Sequence, residues 1–219
     1  DIMNGLNFTI AKKMMLFAVV IFVTILITGL LKFNNLLNTE KNFNIFNDRA
    51  VVGKFYVLEV EKELNFVARN SRDIMLGNSY DNNIKNLEKS RENIIKSFDG
   101  LLQTSQNEAE KNVVLEVKKT VLDFIEDGYK KMKSLQTVER TPEILAAMYQ
   151  AYKKDATPLA NKSRENFSKL IKEKEEDYTF QSELYNKQMK ALKNIIIIES
   201  LVLVLIVILS LLLLSRDII

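Results

Sequence analysis

The sequence predicts an all-α protein in which an up-down-up-down four-helix bundle is continuous with two transmembrane helices. Three observations support this prediction. Two long apolar stretches lie near the ends of the chain, and the segment between them places apolar residues three and four positions apart, as on one face of a helix. Glycine and proline, which interrupt helices, occur only six times and twice in 219 residues.

The two apolar stretches have the length of membrane-spanning helices. Residues 14–31 carry no charge, and residues 195–214 carry only one, Glu199. The hydrocarbon core of a bilayer is about 30 Å thick and requires roughly 20 apolar residues in a helix. The first stretch is longer than the apolar region of a typical signal peptide, and no small-residue cleavage site follows it, so we expect an uncleaved anchor.

The composition of the segment between the two stretches excludes several classes of function. Its acidic and basic residues are interspersed, whereas a nucleic-acid-binding protein clusters its Lys and Arg residues on one face. The chain has no Cys, no His and no Trp, so it can form neither a disulfide nor a Cys/His zinc site. No nucleophile–base set and no glycine-rich phosphate loop occurs, so we expect neither catalysis nor a cofactor.

The first helix of the predicted bundle carries an apolar seam of four heptads. A seam of this kind favours left-handed helix packing. The turn at Gly77-Asn78-Ser79 ends the seam, because these residues tolerate the left-handed backbone conformation. The seam positions are Phe46, Ala50, Gly53, Val57, Val60, Leu64, Val67, Ser71 and Ile74.

Three further helices follow the first. A second stripe runs from Ile84 to Leu101, with Asp81 as a possible cap, and a third runs from Val114 to Leu135. Thr141 and Pro142 form a strong helix start, and the fourth stripe continues into the second apolar stretch. Lys174 lies on that stripe, which indicates looser packing or a specific partner.

This order of helices predicts five segments. They are a cytoplasmic lead-in (1–13), a first transmembrane helix (14–31), an extracytoplasmic four-helix-bundle sensor domain (32–194), a second transmembrane helix (195–214) and the start of a cytoplasmic HAMP-like linker (215–219). Lys12 and Lys13, against Lys32 on the other side, favour a cytoplasmic N-terminus. We therefore expect a two-pass protein of the bacterial inner membrane with its middle domain in the periplasm or otherwise outside the cytoplasm.

Three short stretches carry a resemblance to a known family. Residues 7–14 (Asn-Phe-Thr-Ile-Ala-Lys-Lys-Met) resemble a lead-in to a first span, residues 72–77 (Arg-Asp-Ile-Met-Leu-Gly) a first-helix ending, and residues 215–218 (Ser-Arg-Asp-Ile) the start of a HAMP linker. Together with the architecture, they are similar to the N-terminal sensory part of bacterial methyl-accepting chemotaxis receptors with a four-helix-bundle ligand-binding domain.

The resemblance implies a mechanism. Such receptors are homodimers in which the first bundle helices pair, and the ligand binds at the membrane-distal end, between the first and fourth helices. The signal then passes through a small displacement of the fourth helix. The resemblance implies a small ligand of the amino acid or organic acid class, or a periplasmic binding protein. The alternatives are the sensor half of a histidine kinase or diguanylate cyclase, and a membrane-tethered coiled-coil scaffold that binds a protein partner.

Five residues are candidates for ligand binding. In the aspartate-sensing branch of the family, arginines on the first bundle helix hold the ligand with help from polar groups on the fourth, so the resemblance implies Arg69 and Arg72. Arg suits a carboxylate because its guanidinium is planar and permanently charged. Counting residues from the two spans places both arginines level with Tyr149, Tyr152 and Thr157 on the fourth helix. The alternative is that both arginines are surface residues that pair with nearby acids, and that both tyrosines belong to the edge of the core.

Two acidic features have simpler interpretations. The cluster at residues 173–177 is typical of a solvated helix face, although it could attract a cation. A carboxylate inside a span, such as Glu199, is a functional hypothesis by default. However, Glu199 lies only one turn inside the second span, so it can reach the interface and a structural role is favoured.

Overall fold

The computed structural model describes the backbone of residues 10–216 and the side chains of residues 10–212, and this part of the chain is all-α. The α-helices are α1 (Ile10–Ile45), α2 (Val52–Met75), α3 (Tyr80–Gln103), α4 (Glu108–Ser134) and α5 (Pro142–Arg216). A π-helix (Phe46–Val51) joins α1 to α2, and a short 3-10 helix (Leu135–Thr137) follows α4. Residues 7–9 of the lead-in motif (7–14), and Asp217 and Ile218 of the linker motif, lie outside the described residues.

The chain forms two compact units. The first unit contains the residues up to Phe43 together with those from Glu183 onwards, and the second unit contains Asn44–Ser182. Both boundaries fall inside the predicted 32–194 domain. The domain limits drawn from the sequence stay predictions.

Two helices, Ile10–Met75 and Pro142–Leu212, are long and apolar enough to cross a membrane, as judged by length and composition. Almost none of the residues in their most apolar windows is buried, so these stretches are not core helices of the kind found in soluble proteins. The hydroxyl groups of Thr24, Thr28, Ser200 and Ser210 donate to the carbonyl oxygens four residues earlier at 2.7–2.8 Å. Each hydroxyl is therefore satisfied within its own helix.

Glu199 forms an ion pair with Lys32 inside this first unit. Lys32 immediately follows the apolar stretch of α1, and Glu199 lies near the start of the apolar stretch of α5. Thr28 lies one turn before Lys32 on α1. The pair joins the two helices at this level, which agrees with a structural role for Glu199.

The second unit is built around one hydrophobic core to which α2, α3, α4 and α5 all contribute. The stripes predicted from the sequence are the buried faces of these helices. Among the largest fully buried side chains are Val60, Ile74, Ile94, Phe98, Leu101, Val121, Ile125, Met132 and Leu170. An all-α fold is confirmed, whereas the up-down-up-down bundle continuous with membrane spans is considered under the proposed function.

The burial of the α2 seam bears on the expected pairing of the first bundle helices. The seam positions Gly53, Val57, Val60, Val67 and Ile74 are buried in this core. They are therefore not exposed for contact with a second copy of the chain, so the pairing of first bundle helices that the resemblance implies would need other residues of α2. The exposed apolar residues of α2 and of the preceding π-helix form a different stripe: Val51, Phe55, Leu58 and Phe66.

The helix ends follow the local sequence. Gly77, with φ of 82°, ends α2 in a Schellman motif, in which the N–H groups of Gly77 and Asn78 donate to Ile74 and Asp73. Asn107 caps α4 by accepting from the Glu110 N–H at 2.9 Å. Asp81 does not cap α3, because Ser79 occupies the N-cap position and Asp81 lies in the first turn.

Gly100 and Gly128 each lie against a tyrosine side chain, and the space left beside the two glycines differs. A Cβ atom at Gly100 would lie 2.3 Å from the Tyr56 ring, whereas one at Gly128 would lie 3.4 Å from the Tyr152 hydroxyl. We expect Gly100→Ala to lower the stability by about 1–3 kcal/mol through overpacking, despite the better helix propensity of Ala. Gly128→Ala is the matched control and is expected to be neutral or stabilising. Thermal melts of both variants test this, and equal midpoints would contradict it.

Candidate functional site

A cavity of about 530 Å³ lies where the end of α2 meets the start of α5. We call it the arginine cavity. The Gly77 turn forms one side of the cavity and lies close to Leu145. A Cβ atom added to Gly77 would be 3.4 Å from the Cδ1 atom of Leu145. Thr141 accepts from the Ile144 N–H at 3.4 Å and so begins α5 on the other side. The cavity is lined by Arg72, Met75, Leu76, Gly77, Arg140, Pro142, Leu145, Ala146 and Tyr149.

The two arginines of this cavity carry positive charge that no carboxylate neutralises. In the described part of the chain, neither Arg72 nor Arg140 forms an ion pair, whereas Arg49, Arg69 and Arg91 each contact a carboxylate. No acidic residue lines the cavity. An anion that entered it would therefore meet two guanidinium groups and no opposing charge.

Tyr80 holds Arg140 at the edge of the cavity. The Arg140 guanidinium lies 4.6 Å from the centre of the Tyr80 ring, at the distance of a cation–π contact. The Tyr80 hydroxyl in turn donates to the carbonyl oxygens of Met132 and Lys133 at 3.1 and 3.2 Å. Burial raises the pKa of Tyr80, although Arg140 opposes this, so the hydroxyl stays protonated and keeps these bonds.

Most of the remaining lining is apolar. Met75 and Leu145 are buried members of the core, and Leu76 and Pro142 add exposed apolar surface. Ligand sites typically combine an apolar lining with a few convergent polar groups in a volume of about 300–1,000 Å³. The arginine cavity has this composition and suits a small anion with an apolar body.

The structure brings together two of the five residues predicted from the sequence. Arg72 and Tyr149 both line the arginine cavity. Arg69, one turn earlier on α2, lines a different cavity, and its guanidinium lies 3.9 Å from the Asp73 carboxylate. The two arginines therefore lie on different faces of α2.

Tyr152 and Thr157 do not line the arginine cavity. Tyr152 is half-buried against the core, and burial raises the pKa of its hydroxyl. Thr157 is exposed, and its hydroxyl donates to the Lys153 carbonyl oxygen within α5. The prediction that these residues bind ligand stays untested.

Sequence reasoning missed Arg140, the second arginine of the cavity. Arg140 immediately precedes the Thr141-Pro142 helix start, at the same end of the second unit as the Gly77 turn. If four helices alternate in direction, the turn after the first helix and the turn before the fourth lie at the same end. That topology was the signal that could have identified Arg140.

A second polar cluster, which we call the charged layer, lies at Arg49, Glu110, Lys174 and Asp177. Lys174 is only 2% exposed and forms an ion pair with Glu110. Arg49, in the π-helix, donates to Asp177 at 2.8 Å. The polar residue that interrupts the α5 stripe therefore finds its partner on α4, within the same chain.

Glu110 also accepts from the Gln106 N–H at 2.7 Å. Burial acts to raise the pKa of Glu110, but this hydrogen bond and Lys174 outweigh it, and the pKa falls below its usual value. A carboxylate with a lowered pKa stabilises the fold above its unfolded-state pKa, and that contribution is lost as the pH falls through the folded-state pKa. We therefore expect Glu110→Gln to lower the melting temperature at pH 6–7, and we expect its difference from the wild type to shrink as the pH falls through the folded-state pKa of Glu110. Parallel melting curves across that range would contradict this expectation.

The acidic cluster at residues 173–177 is engaged in ion pairs. Glu175 contacts Lys54 at 3.1 Å, Glu176 contacts Lys172 at 3.8 Å, and Asp177 contacts Arg49. Among the described side chains (residues 10–212), no group of three or more acidic residues converges in a way that could hold a metal ion.

In comparisons with known proteins, no protein-family model, no curated protein and no solved structure matches the chain.

Proposed function

We propose that this chain is the sensory part of a transmembrane receptor that binds a small organic or inorganic anion in the arginine cavity. The observation that carries the proposal is the presence, in one largely apolar cavity, of two arginines that have no carboxylate partner among the described residues. Chemotaxis is the proposed output, and a histidine kinase or diguanylate cyclase is the alternative. A chemotaxis receptor, a histidine kinase and a diguanylate cyclase would all use the same sensory function.

The proposed receptor is a four-helix bundle carried by two membrane spans. Two apolar helices and the internally bonded hydroxyl groups of Thr24, Thr28, Ser200 and Ser210 support the spans, because a polar group in lipid must find its partner within the protein. A core shared by α2, α3, α4 and α5 supports the bundle. We place the middle of the chain outside the cytoplasm, because of the Lys12-Lys13 pair before the first span.

This topology can be tested with single cysteines, since the chain has none of its own. We expect Asn65→Cys, on the exposed face of α2, to react with a membrane-impermeant maleimide in intact cells. Asn4→Cys, in the predicted lead-in, is expected to react only after permeabilisation. The reverse pattern would contradict the proposed orientation.

A single helix offers a path for the signal. The helix α5 begins at Pro142, which lines the arginine cavity, and continues to Arg216 beyond the second apolar stretch. A ligand that changes the position of the start of α5 would therefore act on a helix that also contains the second span. Small displacements of a helix are an established way of transmitting a signal.

The proposed receptor is a homodimer that pairs through three residues of the exposed stripe, Val51, Phe55 and Leu58, and leaves Phe66, further along α2, uncovered. The buried seam of α2 cannot serve this purpose, whereas the exposed stripe repeats at helical spacing. We expect Phe55→Cys to form a disulfide between two copies under mild oxidation. Failure to cross-link at this position, with the chain shown to be monomeric, would remove the dimer from the proposal.

The proposal is tested by a thermal-shift screen of the whole chain in detergent against amino acids, organic acids and inorganic anions. A ligand that binds only the folded form contributes about 2.7 kcal/mol at a hundredfold excess over its dissociation constant. We expect at least one carboxylate to raise the melting temperature, while its uncharged amide does not. If no anion stabilises the protein, the scaffold alternative is favoured, in which the exposed stripe of α2 would bind a protein partner.

A further inference from the structure

A second cavity, distinct from the arginine cavity, lies in the groove between α2 and α3. We call it the amide groove. Its volume is about 710 Å³, within the range of small-molecule sites. Its lining is almost entirely polar and comprises Lys62, Glu63, Phe66, Arg69, Asn70, Asp73, Asn83, Asn86, Lys89, Ser90 and Asn93.

The amide groove contains buried amides, which are rare elsewhere in the chain. Asn70 and Asn83 are the two buried asparagines in the described part of the chain, each 8% exposed, and both line the groove. The Asn83 amide donates to the Asn78 carbonyl oxygen at 3.4 Å. The Asn70 amide has no hydrogen-bond partner among the described residues, and neither of its polar atoms is among the fully buried atoms that lack one, so both reach solvent in the groove. It therefore has both a donor and an acceptor to offer to a molecule in the groove.

Other polar groups extend this surface on α3. Ser90 is 4% exposed, and neither Ser90 nor the exposed Asn86 forms a side-chain hydrogen bond within the described structure. Asn93 donates to the Glu63 carboxylate at 3.0 Å, which leaves the other hydrogen-bonding positions of both side chains open. Amides and hydroxyls both donate and accept, so this set of groups matches a ligand that does the same.

The groove is lined by three cationic side chains, Lys62, Arg69 and Lys89, and by two carboxylates, Glu63 and Asp73, which offset all but one of the positive charges. Arg69 lies 3.9 Å from Asp73, and Lys62 lies 3.9 Å from Glu63 and also contacts Glu59. A small anion would meet the carboxylates of Glu63 and Asp73, unlike an anion in the arginine cavity. The two carboxylates therefore repel a small anion, and the amides and hydroxyls of the lining are left to bind a neutral ligand.

Phe66 adds one apolar face to this polar lining. Its ring is 43% exposed. A ring in this position can cover the apolar C–H face of a small cyclic molecule while the surrounding amides bond its hydroxyl groups. Aromatic rings combine a large apolar surface with a preference for partial positive charge, such as polarised C–H groups, on their faces.

We propose that the amide groove binds a small neutral polyhydroxylated solute, a monosaccharide or a sugar alcohol. Asn70, Asn86 and Ser90 bond its hydroxyl groups, and Phe66 packs against its ring or carbon chain. The site is separate from the arginine cavity, and neither proposal depends on the other. The chain would thus recognise two chemically different classes of solute.

The experiment is isothermal titration calorimetry of the whole chain in detergent with glucose, galactose, ribose, mannitol and inositol. We expect saturable binding of at least one of these probes. Asn70→Leu, which keeps the volume but removes the amide, is expected to weaken that binding at least tenfold. Asn86→Ala is expected to weaken it several-fold, and its exposed position keeps the fold intact if Asn70→Leu proves unstable.

Asn65→Leu is the matched control, because Asn65 lies on the same helix, is exposed and does not line the groove. We expect it to bind the same probe as tightly as the wild type. The double variant Arg72→Ala/Arg140→Ala is also expected to retain polyol binding. The proposal is overturned if none of the five probes binds, if Asn65→Leu weakens binding as much as Asn70→Leu, or if the arginine double variant loses polyol binding.

Discussion

Replacing both Arg72 and Arg140 by Ala is expected to abolish the stabilisation of this protein by anions. Both guanidinium groups line the same cavity, and neither has a carboxylate partner in the described structure. Hydrogen bonds to charged groups contribute about 1.5–3 kcal/mol each, so each single replacement is expected to weaken the binding of the anion tenfold or more. Thermal shift and titration calorimetry with the anion identified in the screen measure this effect directly.

The unliganded melting temperature separates binding from folding in this experiment. Arg72 and Arg140 are exposed, so we expect their removal to change that temperature little. Arg72→Lys and Arg140→Lys are expected to bind with intermediate affinity, because Lys keeps the charge but cannot form the two parallel bonds of a guanidinium group.

Arg164→Ala is the matched control for these variants. Arg164 is also exposed and without a carboxylate partner in the described part of the chain, but it lies outside the arginine cavity. We expect it to leave anion binding unchanged. An equal loss in Arg164→Ala would mean that anions respond to the overall charge of the protein, and an undiminished shift in the double variant would place the anion elsewhere.

Arg72 and Tyr149 illustrate what sequence periodicity can predict about a site. The seam of α2 fixed the orientation of that helix, and the Gly77 turn fixed where it ends. Counting residues from the two spans along the first and fourth bundle helices then placed Arg72 close to the level of Tyr149. The same count could not separate Arg69 from Arg72, because residues three apart on a helix differ by about 60° in direction, enough to place them in different grooves.

The features that the sequence could not predict depend on contacts between distant residues. Lys174 on an apolar stripe indicated an irregularity, but only the fold identifies Glu110, 64 positions away, as its partner. The π-helix at Phe46–Val51 has no signature in the heptad pattern, which runs through it without interruption. The groups that line the amide groove are exposed or lie beside the predicted apolar stripes, so periodicity alone does not identify them as members of one site.

Glu110→Ala is expected to have the largest effect on stability of any single replacement considered. It leaves the Lys174 ammonium group buried without its carboxylate, because Lys174 is only 2% exposed. Breaking a buried ion pair by removing one partner costs about 3–5 kcal/mol, since the remaining charge is uncompensated. The variant should therefore melt well below the wild type. Denaturant titration followed by far-UV circular dichroism gives the change in the free energy of unfolding.

A double replacement distinguishes loss of the pair from loss of packing. In Glu110→Leu/Lys174→Met both charges are removed and apolar volume is retained, so most of the stability is expected to return. Glu165→Ala is the control, because its pair with Lys169 is exposed and no measurable change is expected. If Glu110→Ala is as stable as the wild type, the Lys174 ammonium group reaches water in that variant. If the double variant remains as unstable as the single one, the pair contributes net stability beyond mutual neutralisation, and the charged layer holds α4 against α5 by attraction.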